Sequence, residues 1–282
     1  MKRIFLAAAL IAAIGTSAQT VNKKIALDKG QQIEQVNKVS ALITQEMMGQ
    51  TMEISMESNM TSLVEVKDRD ANGFKLASTL KKMTMNMTAM GNEQKFDSDK
   101  PEDMNGPIGQ GLKDKINVAK EYAVNKEGIV TAAQQNSATK ADPNSIMGGM
   151  MNGAADEKEG AQFSALANLP ATGVKVGQSW SDSTTDGDSK TINTYTLRSL
   201  SGNDGIVDVK SNLVINRELE QQGMTMQMAM SGNITGEYSF DVKTGVIKNR
   251  KMKTVASGTI DVMGQSVPLT LNSTLESTSA LK

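Results

Sequence analysis

Apolar and polar residues alternate along much of this chain. Val39-Ser40-Ala41-Leu42-Ile43-Thr44, Thr61 to Val66, Phe74 to Leu80, Ile192 to Leu197 and Val207 to Ile215 all carry a two-residue period. Successive side chains of a strand point to opposite faces, so this period, enriched in Thr and Val, predicts half-buried antiparallel strands. Between the runs fall Asn72-Gly73, Gly91-Asn92, Asn125 to Gly128, Asn203-Asp204-Gly205 and Lys243-Thr244-Gly245, the chemistry of hairpin turns that need positive φ. A meander of hairpins follows. Two stretches depart from the pattern. Pro107 to Ile116 reads as a short helix weakened by Gly109 and Gly111, and Ser145 to Asn168 is rich in Gly, Ala, Met and acidic residues, with Phe163, Ala165, Leu166 and Leu169 at helix-compatible spacing. The expected fold is mainly β, α+β at most: an antiparallel curved sheet or two similar half-barrels with short central helices. Residues 19–133 form an N-terminal β-rich half, 134–172 a helical or loop insertion, and 173–282 a C-terminal β-rich half.

The two halves echo each other. Met83-Thr84-Met85-Asn86-Met87-Thr88 has a counterpart in Met224-Thr225-Met226-Gln227-Met228-Ala229, and Met48-Gly49-Gln50-Thr51 has one in Met263-Gly264-Gln265-Ser266. Internal duplication and convergent strand patterning both produce such short matches.

Composition narrows the chemistry. The 282 residues contain 30 Lys+Arg against 31 Asp+Glu, with no His and no Cys. A formal charge of −1 supplies no footprint for phosphate backbones, so nucleic acid is not an expected partner. Without His or Cys there is no Ser-His-Asp triad, no thiolate chemistry and no ordinary zinc site. Aromatics make up only 3% of the chain, which points to an aromatic-poor core. At the N-terminus, Lys2 and Arg3 precede an apolar run from Ile4 to Gly15, and Thr16-Ser17-Ala18 offers small residues for cleavage. Residues 1–18 thus read as a signal peptide, with the mature chain starting at Gln19. About 12 apolar residues are too few for a bilayer that needs roughly 20, and no cysteine follows for lipidation. A periplasmic or secreted protein without a transmembrane anchor is expected.

Leu169-Pro170, then Val174-Lys175-Val176-Gly177-Gln178-Ser179-Trp180, together with the export signal and Phe96-Asp97-Ser98-Asp99-Lys100-Pro101, resembles the domain-of-unknown-function 6263 family. That family comprises exported, β-rich proteins of Gram-negative bacteria. The resemblance implies a periplasmic or surface location and an antiparallel fold, and brings no catalytic residues. Trp180, opening a strand after a Val-Gly turn, reads as a core anchor before a ligand platform.

Methionine is the unusual residue, with 20 in the chain. Met83, Met85 and Met87 share one strand face, as do Met224, Met226 and Met228. Thioethers select Cu(I), but neighbours on one strand face stand about 7 Å apart and need a second strand to close a site. Adaptable core filler in place of Leu and Phe explains the same residues. A deformable Met face lining an open sheet is a third reading, suited to varied apolar ligands. Asp68-Arg69-Asp70-Ala71-Asn72-Gly73 matches half a calcium loop, yet Thr79 stands where the bidentate Glu belongs, and a hairpin explains the run equally well. Asp97, Asp99, Glu102, Asp103, Asp182, Asp186 and Asp188 read as solvated turn residues, since a glycosidase cleft needs sugar-stacking aromatics.

The expected function is therefore non-enzymatic and without cofactor or metal. It is an exported envelope protein binding a lipid or other apolar ligand, or another envelope protein, through Met83, Met85, Met87, Met224, Met226 and Met228. The alternatives are a structural or interaction protein of the cell surface and, behind it, a Met-based Cu(I) carrier.

Overall fold

The computed structural model describes residues 19–47, 49–134, 157–221, 224–262 and 264–282. The expected signal peptide and the segment Ser145 to Asp156 lie outside them. Long strands dominate: β2 (Gln32–Met47), β3 (Gln50–Arg69), β4 (Gly73–Ala89), β5 (Asn92–Asp97), β6 (Ala119–Asn125) and β7 (Val130–Ala133) in the first half, and β9 (Ser179–Asp186), β10 (Ser189–Ser201), β11 (Asp204–Gln221), β12 (Met224–Asp241), β13 (Ile247–Val262) and β14 (Gln265–Leu281) in the second. They form one antiparallel sheet of 12 strands in the order β7-β6-β4-β3-β2-β14-β13-β12-β11-β10-β9, with β5 on the edge of β4 beside β6. A separate two-stranded pair joins β1 (Thr20–Val21) to β8 (Val174–Lys175).

The fold is a single open sheet, the first of the two architectures the alternation allowed. Its two meanders meet where β2 pairs β14, Ile33 opposite Leu281 and Gln45 opposite Leu269. The sequence echoes occupy mirrored places about this seam: β4 and β12 are each the third strand out, and Gly49 and Gly264 lie just before β3 and β14, in the hairpins on either side of it. Along the chain the two echoes run in opposite order, which tandem duplication does not produce. Equivalent positions in a symmetric sheet impose the same pattern, and convergence explains the likeness.

Following the register across the sheet separates two faces. One carries Ile43, Met56, Met83, Leu271, Ala256, Met230 and Val209. The other carries Lys38, Glu276, Lys251 and Glu237, which alternate in sign on four adjacent strands. Lys251 bonds Glu276 at 2.7 Å, and Arg198 joins Asp208 to Glu237. Exposed pairs contribute about 0–1 kcal/mol each, so they fix register more than stability. A one-residue slip would turn the apolar set to water, and that is what makes the register unique.

Three segments lie on the apolar face. Residues 98–118 hold α1 (Pro101–Asn105) and α2 (Pro107–Gln110), shorter than the predicted Pro107–Ile116 helix because the chain turns after Gln110. This segment adds Leu112 and Ile116 to a cluster with Met60, Met83, Met85 and Phe96. Residues 19–31 and 157–177 cover the opposite end. Phe163, Ala165, Leu166 and Leu169 are buried as predicted, but on an extended strap rather than a helix. The strap's backbone is spent on the sheet: Ile247 N–H donates to Ala165 O at 2.9 Å and Ala167 N–H to Gly245 O at 2.8 Å. An N–H given to a neighbouring strand cannot also close a helical turn. Gly245, at φ 76°, is required here, since a Cβ would stand 2.6 Å from Lys24 O. At the turn predicted over Asn203-Asp204-Gly205 the positive φ falls instead on Gly202.

Candidate functional site

The methionines read from the sequence divide between two environments. Met83, Met85 and Met87 are 1%, 4% and 8% exposed, and the pairs Met60–Met83 and Met56–Met87 face each other across β3 and β4. Thioethers do approach across strands, within a core closed by Phe96 and the 98–118 segment. Met226 is buried against Ile260 and Val267, a cluster of sheet residues alone, and Met228 beside it keeps partial exposure. Met224 lies on β12, its side chain outside the described set. Of the described members, Met228 is the one that reaches solvent.

The open part of the apolar face lies on β11 to β14 and β2. Leu213, Ile215, Met228, Ile234, Met252, Leu275 and Val39 all stay partly exposed there. Gly232, Gly236 and Gly258 keep the floor low between them. A Cβ at Gly236 would stand 2.0 Å from Lys251 O and 2.7 Å from Met252 Sδ, so no larger residue fits.

A polar network interrupts this face under the strap. Asp182, on β9, accepts from Asn168 Nδ2 at 2.5 Å, from Asn193 Nδ2 at 2.7 Å and from the Tyr195 hydroxyl at 3.3 Å. Tyr238 donates to Asn168 O at 3.2 Å. Arg250 on β13, directly opposite Tyr238, donates to Ser164 O at 2.8 Å. Trp180 stacks on Tyr195 with ring centroids 5.5 Å apart and planes 19° from parallel, and its indole N–H is buried without a hydrogen-bond partner. Asp182 is therefore no solvated turn residue. Its parity on β9 turns it onto the apolar face, where it must collect donors to offset its desolvation. Sequence reasoning missed it because a Ser-Asp-Ser-Thr run looks polar on both faces. The signal that could have found it is its two-residue offset from Trp180, which puts both side chains on one side of the strand.

Burial, seconded by the Asp182 carboxylate and opposed by a hydrogen bond with Asn168, pushes the Tyr195 phenol up to about 12. Burial also raises Tyr238, and pulls Arg250 below the usual guanidinium range. Lys23 falls as well, through burial opposed by the nearby charges of Glu127 and Asp182. A phenol whose folded value exceeds the unfolded value of about 10 contributes stability that is complete below pH 10 and lost as pH climbs toward 12. Alkaline titration should show Tyr195 phenolate absorbance appearing above pH ~11 together with loss of strand signal, and Tyr195→Phe should move that transition upward.

The calcium-like run is used by the fold. Asp70 Oδ1 accepts from the backbone N–H of Asn72 at 2.7 Å and of Gly73 at 3.0 Å, closing the β3–β4 hairpin. Among the described residues no helix is long and apolar enough to cross a membrane.

A family profile described as a family of unknown function, DUF6263, matches residues 71–247, which takes in β4 to β7, the strap, the polar network's β9 and β10 residues and Tyr238. The chain belongs to this family. No curated protein matches it. Among solved structures the chain is similar to lipovitellin, with a TM-score of 0.51 at 9% identity over 91% of this chain. It covers 26% of the lipovitellin chain, so the likeness is one of sheet architecture within a much larger protein. An outer membrane channel from Pseudomonas putida F1 (7% identity, 91% of this chain and 98% of that one) and the translocator domain of a Neisseria meningitidis autotransporter (7%, 90% and 88%) align with TM-scores of 0.23 and 0.24. Both scores are too low to bear on the fold.

Proposed function

We propose that this family member is a non-enzymatic envelope protein, exported by its N-terminal signal, that binds an apolar ligand on the open face of its sheet. The observation that carries this reading is the row of partly exposed apolar side chains, Leu213, Ile234, Met252 and Leu275, on the face that elsewhere holds the core and the polar network. A protein serving only as a structural element gains by sealing such a face, because apolar area left in water forgoes about 25 cal/mol per Å². The wall thereby shifts from the buried Met83, Met85 and Met87 to Ile234, Leu213, Met252 and Met228. The lipovitellin structure concerns lipid–protein interactions in that protein; the shared architecture is compatible with a lipid here, and the support comes from the face itself. Native mass spectrometry of the protein taken from its own envelope without detergent should show a bound small amphiphile that denaturation releases. A bare polypeptide mass from gently extracted, folded protein counts against the reading.

A further inference from the structure

Arg250 is an unusual residue to find on an apolar strand face. Its cross-strand neighbours are Tyr238 and the buried Ser277, and above it on the same face come Met252, Thr254 and Ala256. A guanidinium carries five N–H donors. Among the described residues this one makes a single hydrogen bond, to the Ser164 carbonyl. No described carboxylate lies within 4.0 Å of it. Glu157, the acid whose charge reaches it, accepts with both oxygens from the Ser164 backbone N–H at 3.0 and 3.1 Å and with one from the Ser164 hydroxyl. Asp182, the other acid of the network, is met by three donors. Both acids are thus engaged by other donors, and the Arg250 fork keeps N–H groups without a described partner, in a place where burial already disfavours its charge.

Arg250 also keeps partial exposure although burial disfavours its charge. Its register puts it on the same face as the row of half-exposed apolar residues and not on the charged face. A positive fork at one end of an apolar track matches a molecule with the same division. We infer that the ligand is an anionic amphiphile, its carboxylate or phosphate head seated on Arg250 and its single alkyl tail laid along Met252, Ile234, Thr254, Leu213 and Ala256. This rests on the apolar-ligand reading above and names the ligand class. The lengths agree. One leaflet's share of a hydrocarbon core of about 30 Å is ~15 Å, and a strand rising ~3.4 Å per residue runs ~20 Å from Arg250 to Ala256, long enough to seat one tail. Neutralising a desolvated guanidinium by a bidentate anion is also the pairing for which its planar fork is shaped.

The test uses the mature full-length protein and the fluorescence of Trp180, the chain's one tryptophan, which stacks on Tyr195 at this end of the track. Palmitate, hexadecyl phosphate and hexadecanol share a tail and differ in head. The two anions are expected to bind at least about tenfold more tightly than the alcohol, tenfold being about 1.4 kcal/mol. Arg250→Gln should bring all three within about twofold while hexadecanol binding persists. Arg250→Lys, which keeps the charge and loses the fork, should retain a reduced preference of about threefold; it carries the mutational arm if the Gln variant does not fold. Inorganic phosphate and acetate, having no tail, should fail to displace palmitate; displacement would assign a free anion instead and overturn the amphiphile. Whichever anion binds tighter identifies the head. Equal affinity of alcohol and anions in the wild type, or an anion preference that survives Arg250→Gln, overturns the head-group inference and leaves apolar binding standing. If none of the three binds the folded protein, both readings fall.

Discussion

Truncating Phe163 to alanine should cost about 3–5 kcal/mol of stability, the usual range for deleting a buried phenyl ring, because the cavity left behind adds to the lost transfer energy. The ring is 1% exposed and meets Tyr122 edge-on, with centroids 5.8 Å apart and planes at 70°. It belongs to a strap that contributes Ala165 and Leu166 to the same cluster as Leu76, Val64 and Val246. A typical domain holds only about 5–15 kcal/mol in reserve, so the loss should be plain in the urea midpoint. The variant should also disturb the polar network, since Ser164 and Asn168, which bond Arg250, Asp182 and Tyr238, follow Phe163 closely on the strap. A loss below about 1 kcal/mol would mean that the strap is not part of the core and that the face beneath it is more open than described.

Replacing Ile234 with glutamate should leave the fold standing and weaken apolar-ligand binding at least about a hundredfold. Ile234 is partly exposed at the middle of β12, between Ser211 and Thr254, so a carboxylate there can reach water while the face is empty. A bound tail would take that water away. The lost apolar contact of roughly 1.5–3 kcal/mol then adds to the cost of desolvating a charge with no cation opposite, together more than the 2.7 kcal/mol that a hundredfold represents. Titration with a fluorescent fatty acid, beside a thermal melt of each protein, separates the two effects. Binding unchanged in a folded Ile234→Glu variant would place the ligand elsewhere.

These two positions mark where the chain's own pattern speaks and where it falls silent. Alternation from Ile192 to Leu197 and from Val207 to Ile215 located β10 and β11, because period two is a direct consequence of the extended backbone. The same alternation could not say which stretches of the apolar face stay covered. Met83 and Met228 carry the same local signature, yet one is closed in by Phe96 and the 98–118 segment and the other reaches solvent. Covering depends on contacts between residues far apart in sequence. The pairing of β2 with β14, more than two hundred residues away, is of that kind, and so is the strap: its spacing suits a helix, but the Ala165 carbonyl and the Ala167 N–H are taken by Ile247 and Gly245. Asp182 and Arg250 were opaque for a related reason. A charged residue in a Ser- and Thr-rich or Lys-rich run looks solvated until the register shows which face it occupies. The fold class was legible in the residues; the candidate site emerged only when the faces were sorted.

The central claim is that the apolar face of β11 to β14 is a binding surface rather than unfinished core, and titrating the wild-type mature protein with a fluorescent fatty acid, under conditions where its strand spectrum and melting curve show it folded, tests that most directly. Saturable binding at one probe per chain, displaced by a lipid extract of the envelope, is the predicted result. Folded protein that leaves the probe in solution at every concentration would contradict it.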